Sequence, residues 1–421
     1  MASLENLYDQ VRYPSGVFEH THPSRLATLA TLFGMSPPPV ERCRVLELGC
    51  GQGSNLAPMA EALPEARFTG IDLAAGPIED GRAWAARLGL ANLTLEQRDI
   101  LDFEPEPGAW DYIIAHGVYS WVPPAVQEKV LATVRRGLSP QGVGYVSYNA
   151  LPGGYLRRPL RDLMLFHGRG LDDPARRVAQ CRAIAAFGAA GSPAASGTYK
   201  QVLEGQRDRL AQLSDEYIFH DDLSEQNEAL YFHDFMARAG RHGLRYLAET
   251  SFADMQIDRL APEVRATLRG IDDIVSFEQY FDFLTGRAFR RTLLVREEVA
   301  LDRRLTGDRL RPFFAVGHAT PTSAAPDLRS EAIERFEGPG GRVLVLDLRT
   351  IGHGESQLAE GADDVVGHLG QRMQPTHGAS PPRQGEIRGF LGQRRLELQT
   401  VVAVVAGETA LPALQPEMLE A

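Results

Sequence analysis

The sequence predicts an α/β protein whose first third forms a mainly parallel, Rossmann-like sheet. Three observations carry that expectation: short apolar runs alternate with helical stretches, a glycine-rich turn joins the first run to the first helix, and an aspartate closes the second run. The strands are read at RVLELG (44–49), ARFTGIDL (66–73), LTLEQRDI (93–100), WDYIIAHG (110–117) and VGYVSYN (143–149). Helices are read between them at Leu56–Leu63, Ile78–Leu88 and Ala125–Gly137. Such alternation requires crossover connections, which bury a parallel sheet on both faces.

Ahead of the first strand, Thr21 to Phe33 has helical spacing, with Leu26, Leu29, Ala30 and Phe33 on one face and Pro23 in the first turn. His20 and His22 flank that start and are read as part of the helix entry. After Pro152-Gly153-Gly154 the strand signal fades, and Pro159–Leu213 reads as helical, broken by the hinge Gly191–Gly197. From about Glu216 to Leu301 helical patterning is mixed with aromatic residues, including Phe232, Phe235, Tyr280, Phe281 and Phe283, which are read as core. Further on, RVLVLDL (342–348) and LQTVVAVV (398–405) are strand-like and flank a stretch without periodicity, expected to be loose between Gly352 and Gly389. The expected segments are an N-terminal helical cap (1–40), the Rossmann-like domain (41–155), a helical arm or dimerisation segment (156–214), a smaller α+β domain (215–301) and a C-terminal region (302–421).

Composition narrows the function classes. With 43% hydrophobic and 24% charged residues over 421 positions, the chain can bury more than one core. A net charge of −11 disfavours a general nucleic-acid binder, which needs clustered cations to displace counterions. No apolar run approaches the roughly 18 to 20 residues of a membrane span, and the amino terminus lacks a signal-peptide pattern, so a cytoplasmic location is expected. Cys43, Cys50 and Cys181 have neither disulfide nor zinc spacing. His220, Asp221, Asp222, His233 and Asp234 are suitable ligand types, but their spacing matches no familiar metal set, and no metal is expected.

The chemistry is concentrated at Val45-Leu46-Glu47-Leu48-Gly49-Cys50-Gly51-Gln52-Gly53-Ser54-Asn55. Glycines between a strand and a helix let the backbone turn tightly and approach a ligand, while the helix start offers unpaired N–H donors. A dinucleotide fingerprint G-x-G-x-x-G would place its third glycine at position 54, which is Ser54. The pattern is G-x-G-x-G preceded by Glu47, and it resembles motif I of class I methyltransferases. In that class the turn holds the methionine part of S-adenosylmethionine and the acidic residue helps receive its ammonium. Asp72, at the end of the second strand, is placed to accept both ribose hydroxyls. Asp99, with the Ile100 N–H beside it, resembles the residue that accepts the adenine amino group. The fourth strand delivers His116-Gly117-Val118-Tyr119-Ser120-Trp121 to the methyl-donor end. Tyr119 and Trp121 are expected to flank the acceptor and the sulfonium, and His116 to bond the cofactor or take the acceptor proton.

Tyr13-Pro14, Thr21-His22-Pro23, Leu32-Phe33-Gly34-Met35, Glu47-Leu48-Gly49-Cys50, Gly70-Ile71-Asp72-Leu73, His116 to Val122, and Ser147-Tyr148-Asn149 with Pro152-Gly153 are together similar to bacterial methyltransferases carrying a methyltransferase regulatory domain. The rickettsial outer-membrane-protein lysine methyltransferases are members of that family. Tyr217 to Leu223 and Tyr231 to Phe235 resemble the start of its regulatory domain.

The resemblance runs from about Leu7 to Leu301. It implies a Rossmann-like class I methyltransferase domain followed by a helical segment and a smaller regulatory domain, acting with S-adenosylmethionine on lysine amines of a protein. It also implies that Tyr8 or Tyr13 caps the cofactor and that the helical segment forms a homodimer. The cofactor contacts expected are Tyr13, Glu47, Gly49, Cys50, Gly51, Gly53, Asn55, Asp72, Leu73, Asp99, Ile100 and His116. A small-molecule acceptor, a non-catalytic cofactor-binding module and a nicotinamide-dependent enzyme remain as alternatives.

Overall fold

The computed structural model describes residues 11–14, 16–305, 309, 320–321, 333–337 and 343–347. The chain divides into two compact units, 1–303 and 304–421. The first is built on a seven-stranded sheet of order β3-β2-β1-β4-β5-β7-β6. Its strands are β1 (Arg44–Leu48), β2 (Arg67–Asp72), β3 (Leu93–Gln97), β4 (Trp110–Ala115), β5 (Leu138–Asn149), β6 (Leu244–Glu249) and β7 (Phe289–Arg296). The strands from β1 to β5 pair in parallel, whereas β7 runs antiparallel to both β5 and β6. Strand order reverses beside β1, so the crevice between the carboxyl ends of β1 and β4 is the natural place for a ligand.

The helices follow from the sequence pattern. In α1 (Pro23–Leu32) the His22 side chain accepts the Ser24 N–H at 3.2 Å, and Leu26, Leu29 and Ala30 are buried as their spacing requires. Three helices connect the parallel strands: α2 (Leu56–Ala62), α3 (Ala75–Leu88) and α4 (Pro124–Gly137). Helix α3 begins three positions before the apolar period suggested, because Asp72 Oδ1 accepts the Ala74 N–H at 2.9 Å and turns the chain early. Gly81 in α3 is a close approach: a Cβ there would stand 2.3 Å from the Gln52 carbonyl oxygen, so this glycine brings α3 against the glycine turn.

Beyond β5, α5 (Arg158–His167), α6 (Pro174–Gly191) and α7 (Thr198–Ala211) form the helical arm, with the chain turning between α6 and α7 at the predicted hinge. Leu160, Met164, Val178, Cys181, Leu203 and Leu210 give the arm its own core, closed by Ile218 and Phe219 from a π-helical turn, Ile218–Asp222.

Segment 215–301 differs in its connection from a separate α+β body. It contributes α8 (Phe232–Arg241), α9 (Pro262–Arg269) and α10 (Ile274–Thr285), and its strands β6 and β7 hydrogen-bond into the main sheet. Phe232, Phe235 and Tyr246 join Leu46, Ile113 and Tyr148 in one continuous core. Tyr280 and Phe283 are exposed instead, being on the outer face of α10.

At the centre of this junction lies Arg290, fully buried on β7. Its guanidinium bonds Glu249 of β6 (2.6 Å) and Glu278 (2.9 Å) and Asp282 (2.8 Å) of α10, and stands 3.8 Å from the centre of the Phe232 ring. Arg287 adds a second cation to Asp282 at 2.6 Å.

In the second unit, β8 (Thr320–Pro321), β9 (Ile333–Glu337) and β10 (Val343–Asp347) form an antiparallel sheet of order β10-β9-β8. Strand β10 falls in the predicted RVLVLDL run. The second predicted strand, LQTVVAVV, the stretch from Gly352 to Gly389, and Tyr8 lie outside the described residues.

Candidate active site

Four strand ends converge on the crevice. From β1, Gly49 and Cys50 both donate their N–H to the Ile71 carbonyl, at 2.8 and 3.1 Å, which folds the glycine turn over the end of β2. Gly49 has φ +72, and a Cβ there would lie 2.5 Å from Val118 Cγ2, so glycine is required. Gly51 donates its N–H to Asp72 Oδ2 at 2.8 Å, and Gly53 closes the turn on the Cys50 carbonyl at 2.9 Å. The glycine turn and the carboxylate at the end of β2 are therefore in direct contact. Each Asp72 oxygen keeps a further acceptor site beyond the backbone N–H it already receives.

Glu47 is the anomaly of β1. Between fully buried Leu46 and Leu48 it is itself buried, and only one of its oxygens is engaged: Oε1 accepts from Asn55 Nδ2 at 2.8 Å, while Oε2 has no partner among the described residues. Burial pushes its carboxyl up to about 8, against the Asn55 hydrogen bond and with help from the Asp72 charge. A buried, half-satisfied carboxyl in a turn of N–H donors suits the ammonium of an amino acid. Asn55 is used within the protein: it also donates to Thr21 Oγ1 at 3.0 Å and accepts the Phe18 N–H at 2.9 Å. It orients Glu47 and anchors the N-terminal segment.

At the other end, Leu73 and Asp99 line a cleft of about 430 Å³ with Gln97, Arg98 and Asp102. Asp99 Oδ1 caps the turn Ile100–Asp102 through the Leu101 N–H at 2.8 Å, and the Ile100 side chain is buried in the core, which leaves its backbone as the part available to a ligand. The Cys50 side chain likewise turns inward, against Ile78 and Leu95, where burial pushes its thiol well above the ordinary range.

The segment after β4 divides the expected catalytic trio. His116 is half-buried, with Nδ1 2.8 Å from Tyr145 Oη and 3.2 Å from Ser147 Oγ and its ring 4.0 Å from that of Phe18. Burial, with Arg291 and His20 adding to it, pulls its pKa down to about 3, so the imidazole is neutral and too weak a base to take a proton from an ammonium. Trp121 is half-buried at the end of the turn Tyr119–Trp121. Tyr119 departs from the expected aromatic wall. It is fully buried, packed edge-on to Phe235 at 5.3 Å and beside Tyr148 at 6.2 Å, because the turn carries its ring beneath the sheet edge into the core.

Tyr13 lies over the helical arm: its hydroxyl donates to Asp221 at 3.4 Å and its ring meets Tyr217 and His220 edge-on. The residue of the N-terminal segment that covers His116 is Phe18, which sequence reasoning missed; an aromatic residue two positions before the His20-Thr21-His22 helix entry was the available signal. His220 meets the Val11 carbonyl at 2.7 Å and Asp222 pairs with Arg209, so both have protein partners.

This strand order, with a reversed β7 and a glycine turn facing an aspartate at the end of β2, defines the class I S-adenosylmethionine-dependent methyltransferases. Residues 45–142 match the methyltransferase domain family, and residues 214–296 match the family described as "Predicted methyltransferase regulatory domain". The structure is similar to that of PKMT2 from Rickettsia typhi in complex with AdoHcy, with a TM-score of 0.70 at 32% identity, covering 90% of this chain and 74% of that one. An uncharacterised protein of Rickettsia prowazekii (strain Madrid E) is 39% identical over 316 residues, 75% of this chain and 57% of the relative. A second from the same organism is 35% identical over 240 residues, 57% of this chain and 96% of the relative. The chain thus spans little more than half the length of the first of these relatives. It belongs to the methyltransferases that carry a methyltransferase regulatory domain, and its cofactor is S-adenosylmethionine. No described helix is long and apolar enough to cross a membrane.

Proposed function

We propose that the protein transfers a methyl group from S-adenosylmethionine to an amine of a protein substrate, a lysine side chain. The observation that carries the transfer reading is the Gly51 to Asp72 contact of 2.8 Å beside the unpaired, buried Oε2 of Glu47. Those groups suit the two ends of one adenosyl amino acid. The lysine acceptor rests on the motifs shared with the rickettsial lysine methyltransferases and on the likeness to PKMT2.

In this reading Glu47 receives the cofactor ammonium, the backbone of Gly49, Cys50, Gly51 and Gly53 forms the floor under its methionine part, Asp72 accepts the ribose hydroxyls, and Leu73, Asp99 and the Ile100 N–H hold the adenine. When bound, the cofactor supplies a sulfonium-activated methyl group. His116, Phe18 and Trp121 then do what a displacement at carbon asks of a protein: they fix the approach line of the acceptor and exclude water. With His116 neutral and a weak base, the acceptor amine must arrive unprotonated. Tyr119 supports this wall from behind as a packing residue.

The test is transfer itself. Incubated with methyl-labelled cofactor and a cell lysate, the protein is expected to label protein bands at lysine. Label confined to small molecules would replace the lysine acceptor, and cofactor binding without any transfer would leave a non-catalytic binding module.

A second expectation concerns protons. Below about pH 8 the buried Glu47 carboxyl is largely protonated in the free protein, because its pKa is raised to about 8. An ammonium arriving beside it favours the carboxylate, so binding releases a proton. Titration with S-adenosylhomocysteine at neutral pH, in buffers of different ionisation enthalpy, should show that release in the wild type and none in Glu47→Gln. Equal release in both proteins would remove Glu47 from the ammonium site.

A further inference from the structure

The acceptor side of the crevice is basic. Arg291 of β7 pairs in register with Ser147 of β5, and Ser147 Oγ lies 3.2 Å from His116 Nδ1, so Arg291 stands at the same carboxyl edge as His116, beyond β4. Its charge is felt by His116, His20, Tyr145 and Arg25, which places all four within electrostatic reach of one guanidinium. Arg25 comes from α1, with Nη1 3.1 Å from His20 Nδ1. Glu19 and Asp254 offset Arg25 in part. Arg291 Nε is buried with no hydrogen-bond partner among the described residues. Two like charges gathered at a crevice, with a buried guanidinium donor unsatisfied, are unfavourable unless an anion joins them. The planar fork of an arginine matches a carboxylate.

Topology says whose carboxylate it is. The groups assigned to the cofactor lie at the ends of β1, β2 and β3, and His116 at the end of β4 faces the acceptor, whereas β7 lies two strands further on, past β5. A molecule that reaches Arg291 enters from the acceptor side.

Resting on the methyl-transfer reading above, we infer that Arg291, backed by Arg25, receives a carboxylate carried by the methyl acceptor, so that the site selects an amine with an acidic group beside it. The same cations repel a protonated amine, which agrees with the need for an unprotonated nucleophile beside a His116 that is too weak a base. A lysine followed or preceded by an acidic residue has the required chemistry.

The probe is glutarate, with its uncharged counterpart glutaramide as control, added to protein saturated with S-adenosylhomocysteine. Thermal unfolding of the wild type is expected to shift upward with glutarate and not with glutaramide. Arg291→Gln should lose the shift and Arg291→Lys should keep part of it. No shift of the wild type with glutarate overturns the proposal, whatever acceptor is found. A glutarate shift without methylation of any lysine peptide leaves the carboxylate site standing and sinks the lysine reading.

Two further measurements distinguish the source of the carboxylate. With lysine peptides that differ only in a neighbouring Glu or Gln, the wild type should show a KM about tenfold lower for the Glu peptide, and Arg291→Gln should not discriminate. If Arg291→Gln weakens S-adenosylhomocysteine about tenfold while methylthioadenosine, which lacks the amino acid part, binds as before, the carboxylate belongs to the cofactor and the acceptor assignment is wrong.

Discussion

Arg290→Met is expected to lower the stability of the first unit by about 3–5 kcal/mol at neutral pH, a large share of the roughly 5–15 kcal/mol of an ordinary protein. The loss comes from what the substitution leaves behind. Glu249, Glu278 and Asp282 are each buried around one guanidinium, and without it Asp282 keeps its ion pair with Arg287 while Glu249 and Glu278 lose theirs. Burial already holds Glu278 and Asp282 above the ordinary carboxylate range, in spite of Arg290. A carboxyl with a raised folded pKa contributes stability that is complete below its unfolded value, about 4, and lost as pH rises through the folded value. Removing Arg290 raises those folded values further. The deficit of the variant should therefore be small near pH 4 and grow toward neutrality. Chemical denaturation across that range checks it, and a deficit that does not change with pH would assign the loss to packing on Phe232 instead. Glu278→Gln in the Arg290→Met background should recover part of the stability, because it removes one stranded charge.

Strand alternation ties this network to the crevice. On β7, Arg290 points to the face that carries Phe232 and α10, and Arg291 to the opposite face, shared with Tyr145 and α1. One residue locks segment 215–301 onto the sheet, and the next serves the acceptor side. The segment that matches a regulatory domain is thus also the last two strands of the catalytic sheet, and a change in its packing reaches Arg291 through a single peptide bond.

The parallel half of this arrangement was legible in the sequence because its signals are local. Apolar runs of four to six residues ended at glycine or aspartate, and those ends became the glycine turn, Asp72 and Asp99. The antiparallel half was not. Leu244–Glu249 and Phe289–Arg296 carry charged residues within their runs, Glu249, Arg290 and Arg291, and local reading treats such runs as surface. Glu249 and Arg290 are buried because their charges neutralise each other across about forty residues of sequence, a pairing that no periodicity reveals. Tyr119 was misplaced for a related reason: the sequence put it correctly after β4, but the direction of a side chain in a one-turn helix depends on Phe235 and Tyr148, which come from elsewhere in the chain. Phe18 escaped notice because its partners, His116 and Asn55, belong to later strands and turns.

Asp72→Ala should weaken S-adenosylhomocysteine binding about 100-fold, roughly 2.8 kcal/mol, with little loss of folded stability. Two effects combine in that number. The carboxylate is placed to accept two ribose hydroxyls, and it also accepts the N–H groups of Gly51 and Ala74, which hold the glycine turn against the start of α3. Asp72→Asn separates them, since an amide oxygen can still accept one backbone N–H but offers donors where the hydroxyls need acceptors. Its affinity should fall between those of the wild type and the alanine variant. Burial raises the Asp72 carboxyl above the usual aspartate range, against the backbone hydrogen bonds from Ala74 and Gly51. On acidification it protonates earlier than an ordinary aspartate, and cofactor affinity in the wild type should decline at correspondingly milder acid. In Asp72→Asn that step should be absent. Calorimetric titration over mildly acidic pH measures both quantities. Wild-type affinity in Asp72→Ala would mean that the glycine turn keeps its shape unaided and that the ribose is held elsewhere, which would detach the crevice from the cofactor altogether.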